Sequence, residues 1–289
     1  MAGGSMKGIK NRIRSMESTK QITKAMEMVA SSKLRKAQAR VQNSRPYFET
    51  LYSTLQQIAR GTEDFSSPYF EKREIRHSCF IVIGGDRGLA GGYNANVLKA
   101  AQNLMAGKDP YILPIGKRTV EFAKKHGYRI VAEEYAEAED VSVGDCFTAA
   151  KTVAREFGEG VYDEVYVVYT EFRSMLSQVP VTKKLLPLDD EMLKGQEGAS
   201  EELMRRGRVL YEPGPEEVFA AIIPEYLGGV IFGTLCESFA SEQGARRTAM
   251  EAATDNAEEM IDSLSLLYNR ARQGAITQEI TEIVAGANQ

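Results

Sequence analysis

The sequence predicts an α/β protein: a mainly parallel sheet domain with a long helix on each side of it in the chain. Two observations carry this reading. Residues 7–60 and 216–287 hold helical apolar periodicity, interrupted by proline only at Pro46 and Pro224. Between them, short apolar runs alternate with helical stretches. Two long helices at the ends of one chain can lie side by side as a rod, and a rod on a globular foot suits transmission of force or position better than catalysis.

In the first helix Ile9, Ile13 and Met16 step by four and three. Ile22, Met26 and Val29 repeat the spacing on a rotated stripe. Ala30, Leu34, Ala37 and Val41 form another, which Phe48, Leu51, Leu55 and Ile58 continue. Steps of three and four mark a coiled-coil seam. At about 1.5 Å per residue such a helix spans about 75 Å, so a partner helix must cover its seam. Small residues (Ala25, Ala30, Ser31, Ser32, Ala37, Ala39) expect that partner close by. Pro46, which removes a backbone donor, is the place for a kink or a break.

The last helix supplies the partner. Ala253, Ala257, Met260, Leu264, Leu267 and Ala271 keep seam spacing, and Ile276, Ile280 and Ile283 extend an apolar stripe past Gly274. Upstream, Val218, Ile222, Leu227, Ile231 and Leu235 begin the same element. Gly228, Gly229 and Gly233 each cost about 1 kcal/mol against Ala in a helix, a cost that close packing at a crowded crossing explains.

The middle alternates. Residues 79–83 form an apolar strand followed by the glycine-rich loop Gly84–Gly92, and residues 94–106 are helical. Tyr111–Ile115 is a second strand, Arg118–His126 a helix ending at Gly127, and Arg129–Ala132 a short strand. Asp145–Phe157 is helical, Glu164–Tyr169 a strand, and Val179–Leu186 a further strand at an edge. The alternation predicts a Rossmann-like α/β domain. Residues 189–208 are polar and charged and read as a loop. The expected segments are 1–60 and 210–289 for the two long helices and 75–190 for the α/β domain.

Composition is that of an ordinary soluble chain, with 43% hydrophobic and 26% charged residues among 289. No apolar run is expected to approach the roughly 18 residues of a membrane span, and the N-terminus lacks the apolar stretch of a signal peptide. Cytoplasmic residence is expected, with docking onto a membrane complex left open. Charge is unevenly placed. Residues 1–45 hold eleven Lys and Arg against Glu17 and Glu27, a balance of +9; with the whole chain at −4, the remainder carries −13. This asymmetry points to an acidic partner surface, nucleic acid or a membrane face, beside the plainer reading of a solvated helix with basic flanks.

Sites of chemistry are few. The loop Gly84–Gly92 stands between strand and helix, where glycine-rich loops cradle phosphates, but its spacing is not the dinucleotide fingerprint and no Gly-Lys-Ser/Thr follows. The plainer reading is a tight turn in which Asp86 and Arg87 pair locally. His77 and His126 lack partners at ligand spacing, and Cys79, Cys146 and Cys236 fit neither a zinc pattern nor a disulfide framework, so buried free thiols are expected. No metal, cofactor or catalytic set is expected. Two polar-and-apolar stretches exceed what a coiled coil requires: Gln21–Lys33, and Tyr268–Ile283 with Arg270, Arg272 and Gln273 suited to carboxylates or carbonyls of an enclosing protein.

At these stretches the chain resembles the gamma subunits of F-type ATP synthases, the central-stalk rotor. The resemblance covers nearly the whole chain. It rests on Ile22-Thr23-Lys24-Ala25-Met26-Glu27-Met28-Val29, on Ala253-Thr254-Asp255-Asn256, and on Ile276-Thr277-Gln278-Glu279-Ile280-Thr281-Glu282-Ile283. Asp86-Arg87-Gly88-Leu89 and Leu185-Leu186-Pro187-Leu188 agree as well. Gly84 and Gly85 depart from the serine or threonine frequent in the family, and Gly244 from another small residue.

The resemblance implies an antiparallel coiled coil of the terminal helices inside a ring of alpha and beta subunits, with a non-catalytic role and no cofactor. It implies alpha, beta, epsilon and c-ring partners, no nucleic acid, and a peripheral place at the cytoplasmic face of the cell membrane. Residue by residue, it implies beta-subunit contacts at Arg272, Gln273 and Thr277, with Met26 beside them, and c-ring or epsilon contacts at Tyr211 and Glu212. Lys24 and Arg12 are further basic candidates. The photosynthetic members' regulatory dithiol has no counterpart here. The competing readings are a nucleotide-binding α/β enzyme and a nucleic-acid binder using the +9 end.

Overall fold

The computed structural model describes residues 2–62, 65–132, 135, 137–189 and 210–287. In chain order these form α1 (Ala2–Gly61), a 3₁₀ turn (Pro68–Phe70), β1 (His77–Ile83), α2 (Tyr93–Met105), β2 (Asp109–Ile115), α3 (Lys117–His126), β3 (Arg129–Ile130), α4 (Val143–Gly158), β4 (Glu164–Ser174), β5 (Ser177–Leu186) and α5 (Pro215–Ala287). The polar stretch expected as a loop falls, at 190–208, outside the described residues. The chain divides into two compact units, residues 33–245, and residues 1–32 with 246–289, so that both long helices cross the division.

In the unit of residues 33–245 the sheet order is β3-β2-β1-β4-β5. β1, β2, β3 and β4 run parallel, and β5 closes one edge antiparallel to β4. β1 is buried on both faces, which is why it reads as an unbroken apolar run and not an alternating one. On one face Phe80, Val82, Ile112 and Val168 pack against α2 and α3 residues such as Val97 and Phe122. On the other, Ile81, Ile83, Val165 and Val167 pack against α4, the end of α1 and the start of α5. Helix α4 starts at a capping box: the Ser142 hydroxyl accepts from Asp145 N and the Asp145 carboxylate accepts from Ser142 N. The Ser142 hydroxyl and amide, both donating to that carboxylate, hold the Asp145 carboxyl below its ordinary value.

Helix α1 runs unbroken through Pro46, so the expected break does not occur. Pro46 and Gln42 both face solvent, where water can serve the carbonyl that a proline leaves without a donor. Helix α5 likewise passes through Pro224. Its buried stripe in this unit begins at Phe219 and Ile223; Val218 and Ile222 are only partly buried. The expected absence of a span-length apolar run does not hold. Helix α5 contains an 18-residue window of mean hydropathy 1.7, enough for a membrane span by length and composition, half of it buried. Its fully buried Phe219, Ile223, Leu227 and Ile231 serve the core of this unit.

The expected crowded crossing accounts for two of the glycines at 228, 229 and 233 of α5. A Cβ at Gly228 would lie 2.3 Å from Phe147 Cδ1, and one at Gly229 2.0 Å from Phe48 Cδ1. Gly233 is different: a Cβ there would meet nothing within 4 Å.

In the unit of residues 1–32 and 246–289 the two helices run antiparallel, with Thr23 against Thr254 and Lys20 against Glu258. The seam differs from the expected one. On α1, Ile22 and Val29 are 57% and 55% exposed, and the buried position between them is Thr23. On α5 the less exposed positions from Met250 onward are Met250, Ala253, Thr254, Ala257, Ile261, Leu264, Ser265, Tyr268, Ala271 and Ala275. Ala253, Ala257, Leu264 and Ala271 stand as expected, with Thr254 the more buried beside Ala253, whereas Ile261 and Tyr268 replace Met260 and Leu267. The reason is geometric: the outer face of α5 is apolar too, so two stripes share every second step and apolarity alone does not choose between them.

Candidate functional site

The pairing of Thr23 with Thr254 sets which residues of α1 and α5 are level in their unit. Residue numbers rise along α1 as they fall along α5, so the first residues of α1 lie level with about residue 275 of α5. Beyond that level α5 has no partner helix within its unit, and residues 276–285 are all exposed. Ile276 (47%), Ile280, Ile283 and Val284 present apolar side chains to solvent there. Arg272, Gln273 and Thr277 adjoin them, exposed as well. Gln273, Thr277, Ile280 and Val284 follow one another at helical spacing and share a face. The Thr277 hydroxyl donates to the Gln273 carbonyl at 2.9 Å, which ties its proton to the helix and leaves its oxygen lone pairs outward.

Three of the four expected beta-contact residues are therefore one patch. Met26 is not part of it. It lies one turn beyond Thr23, on the side away from the α5 end, which places it about 30 Å along the helix axis from Arg272. It is half-buried, among exposed Ile22, Met28 and Val29. Lys24 is exposed, and its ammonium bonds Glu27 at 2.9 Å. That hydrogen bond and the Glu27 charge raise its proton affinity. Arg12 is exposed on α1.

Tyr211 and Glu212 belong to the other unit and stand just before α5. Tyr211 packs its ring on the core that includes Phe219, and burial raises the proton affinity of its hydroxyl. Glu212 is exposed, and Leu210 beside it is 84% exposed.

The glycine-rich loop after β1 stands at the switch point of the sheet, where α/β proteins bind ligands. Here its first amides are already used: Gly84 N donates to Ile115 O and Gly85 N to Asn94 Oδ1. The expected Asp86–Arg87 pair does not form. The Asp86 carboxylate accepts from the amides of Lys117, Ala138 and Glu139 at 3.0, 2.9 and 3.2 Å. Those amides lie more than thirty residues downstream, a relation no local motif reveals. The geometry explains Gly116, at φ 98°, whose Cβ would lie 2.3 Å from the Gly84 carbonyl oxygen. Leu89 takes φ 62° at the exposed tip.

Among the described residues no group of three or more His, Cys, Asp or Glu is placed to hold a metal ion. The three cysteines are buried and free, as expected. Burial pushes Cys146 up to about 12 and Cys236 up to about 11, so neither is a ready thiolate.

Comparison with known proteins agrees with this reading of the fold and extends it. A family model described as ATP synthase matches residues 5–289. An ATP synthase gamma chain from Alkaliphilus metalliredigens is 46% identical over 286 residues, 99% of this chain and 98% of that one. A sodium-ion-specific ATP synthase gamma chain from Acetobacterium woodii is 42% identical over 291 residues, 96% of each. Among solved structures, a chain of the Euglena gracilis mitochondrial ATP synthase (OSCP/F1/c-ring, rotational state 3) superposes with TM-score 0.66 at 20% identity, covering 99% of this chain and 94% of that one.

Proposed function

Since the chain belongs to the family of ATP synthase gamma chains, we propose that it is the central-stalk rotor of a proton-translocating F-type ATP synthase, carrying rotation between the membrane c ring and the alpha/beta ring. In this reading it is a subunit that catalyses no step itself. Alpha, beta and epsilon subunits and the c ring are its partners, and its place is peripheral, at the cytoplasmic face of the cell membrane.

The observation that carries the reading is the division of apolar residues in the paired-helix unit. The seam is closed by Met250, Ala257 and Leu264. A second apolar set (Ile22, Met28, Val29, Ile276, Ile280 and Ile283) still faces outward. Surface of that kind marks an interface. It is also uneven around the helix pair, and unevenness is what the mechanism requires. A shaft that touched every beta subunit alike would shift no equilibrium; only contacts that differ between states can drive subunits through different affinities.

Arg272, Gln273 and Thr277 are assigned to the beta-subunit contact, with Met26 as a separate contact along the helix pair. Tyr211 and Glu212 are assigned to the c ring and epsilon. The test is reconstitution with purified alpha and beta subunits. Coupled ATP hydrolysis should require this chain, and Arg272→Ala with Gln273→Ala should lower coupled turnover without altering the chain's melting profile. Full coupled turnover without the chain refutes the rotor role. Unchanged hydrolysis with the double variant refutes the contact assignment alone.

A further inference from the structure

In the unit of residues 33–245 a cleft of about 690 Å³ opens between α1, α5 and the β4–β5 edge. This is the volume of a small-molecule pocket. Tyr52 of α1 and Tyr226 of α5 line it, their ring centroids 5.8 Å apart. The carboxylates of Glu49 and Glu237 line it as well, with the ammonium of Lys183. Lys184 borders the cleft too, but alternation along β5 directs its side chain to the other face of the sheet. There its ammonium is 3.9 Å from the Glu164 carboxylate and 6.0 Å from the Tyr166 ring centre. Among the described residues the lining thus sets Glu49, Asp189 and Glu237 against the ammonium of Lys183.

A second feature points the same way. Gly228 and Gly229 are required by the rings that press on them, but Gly233 is not. In mid-helix it costs about 1 kcal/mol against Ala. It stands on the cleft wall, where the missing side chain leaves the cleft wider. Glu237 is half-buried there. Burial and the charge of Glu171 favour its protonated form, while Lys183 and the Tyr169 hydroxyl oppose them. A carboxylate stripped of water in this way gains from a cation brought against it.

We propose that this cleft binds a small organic cation, an amidinium or guanidinium on a flat apolar body, with its head at Glu237 and its body against the rings of Tyr52 and Tyr226. An anion of the same shape would meet the half-buried Glu237 carboxylate, with Asp189 also on the lining. The inference is independent of the rotor reading, because it concerns binding by the chain alone.

The experiment is calorimetric titration of the full chain with benzamidine, and with benzoate as its charge-reversed counterpart. Benzamidine should bind saturably and benzoate more weakly. Glu237→Gln should weaken benzamidine by at least about tenfold, and Gly233→Leu should abolish binding by filling the cleft. Gly233→Ala, which meets open space, should fold normally and weaken binding severalfold; it and Glu237→Gln carry the test if the leucine variant does not fold. Failure of benzamidine to saturate, benzoate binding as tightly as benzamidine, or unchanged affinity in Glu237→Gln would each overturn the proposal.

Discussion

Thr23 of α1 and Thr254 of α5 share a hydrogen bond of 2.7 Å inside the antiparallel helix pair, both nearly buried. Thr254 also lies 2.8 Å from the Met250 carbonyl, and Thr23 3.1 Å from that of Lys20. Two hydroxyl protons serve three contacts. The order that uses the two shorter ones has Thr23 donating to Thr254 and Thr254 donating to Met250. A polar pair in an otherwise apolar seam binds less strongly than a valine pair would pack, but it specifies which residues meet.

That pair is open to a double-mutant cycle. Thr23→Val and Thr254→Val alone should each cost about 1 kcal/mol in urea unfolding, and the double variant at least about 2 kcal/mol less than their sum. Strict additivity would mean that the hydroxyl contact contributes nothing.

The seam itself can be read by truncation. Leu264 is 6% exposed and Leu267 48%. Leu264→Ala should cost about 2–4 kcal/mol, and Leu267→Ala under about 1 kcal/mol in the isolated chain. Equal losses in thermal melts would restore the seam expected from the sequence.

Gly228, Gly229 and Gly233 of α5 should not all respond to alanine with the same sign. Gly228→Ala and Gly229→Ala force a methyl into the Phe147 and Phe48 rings and should destabilise by about 1–3 kcal/mol despite better helix propensity. Gly233→Ala should stabilise by up to about 1 kcal/mol. Melting temperatures of the three variants, measured side by side, decide it.

Glu164 gives a pH dependence. Its side chain is almost fully buried, with Lys108 Nζ at 2.6 Å, Ser78 Oγ at 2.7 Å and the Tyr166 hydroxyl at 2.8 Å. Burial pushes its carboxyl up, but those hydrogen bonds prevail and hold it below its ordinary value. A carboxyl lowered on folding binds its proton less tightly than in the unfolded chain, so it stabilises fully above the unfolded value, about 4.3. That contribution is lost as pH falls through the lower folded value. The stability margin of the native chain over Glu164→Gln should therefore shrink below about pH 4.3. Lys108→Met, which strands the carboxylate, should cost about 2–3 kcal/mol at neutral pH. A margin that is flat down to pH 3 would refute the assignment.

The sheet was legible because its strands are short apolar runs between turn residues, and β5 as an edge because Lys183 and Lys184 interrupt its apolarity. The seam was legible in spacing but not in phase. Leu267 is more apolar than Tyr268, yet Tyr268 is the less exposed of the two, so apolarity did not choose the phase. Arg272, Gln273 and Thr277 could be grouped from one helix's periodicity. The distance of Met26 from them could not, since the register between two helices is a property of neither sequence alone. Asp86 was misread for the same reason: its partners come from two later loops.

The contact between Thr23 and Thr254 also spans 231 residues of chain. On a ribosome adding about 5–20 residues per second, roughly 10–45 s separate the synthesis of its two halves. For that interval the first turns of α1 exist with their inner face uncovered, and no local contact can substitute. The newborn N-terminal segment must therefore wait for residues 246 onward, and truncation anywhere before residue 246 leaves it permanently without its mate.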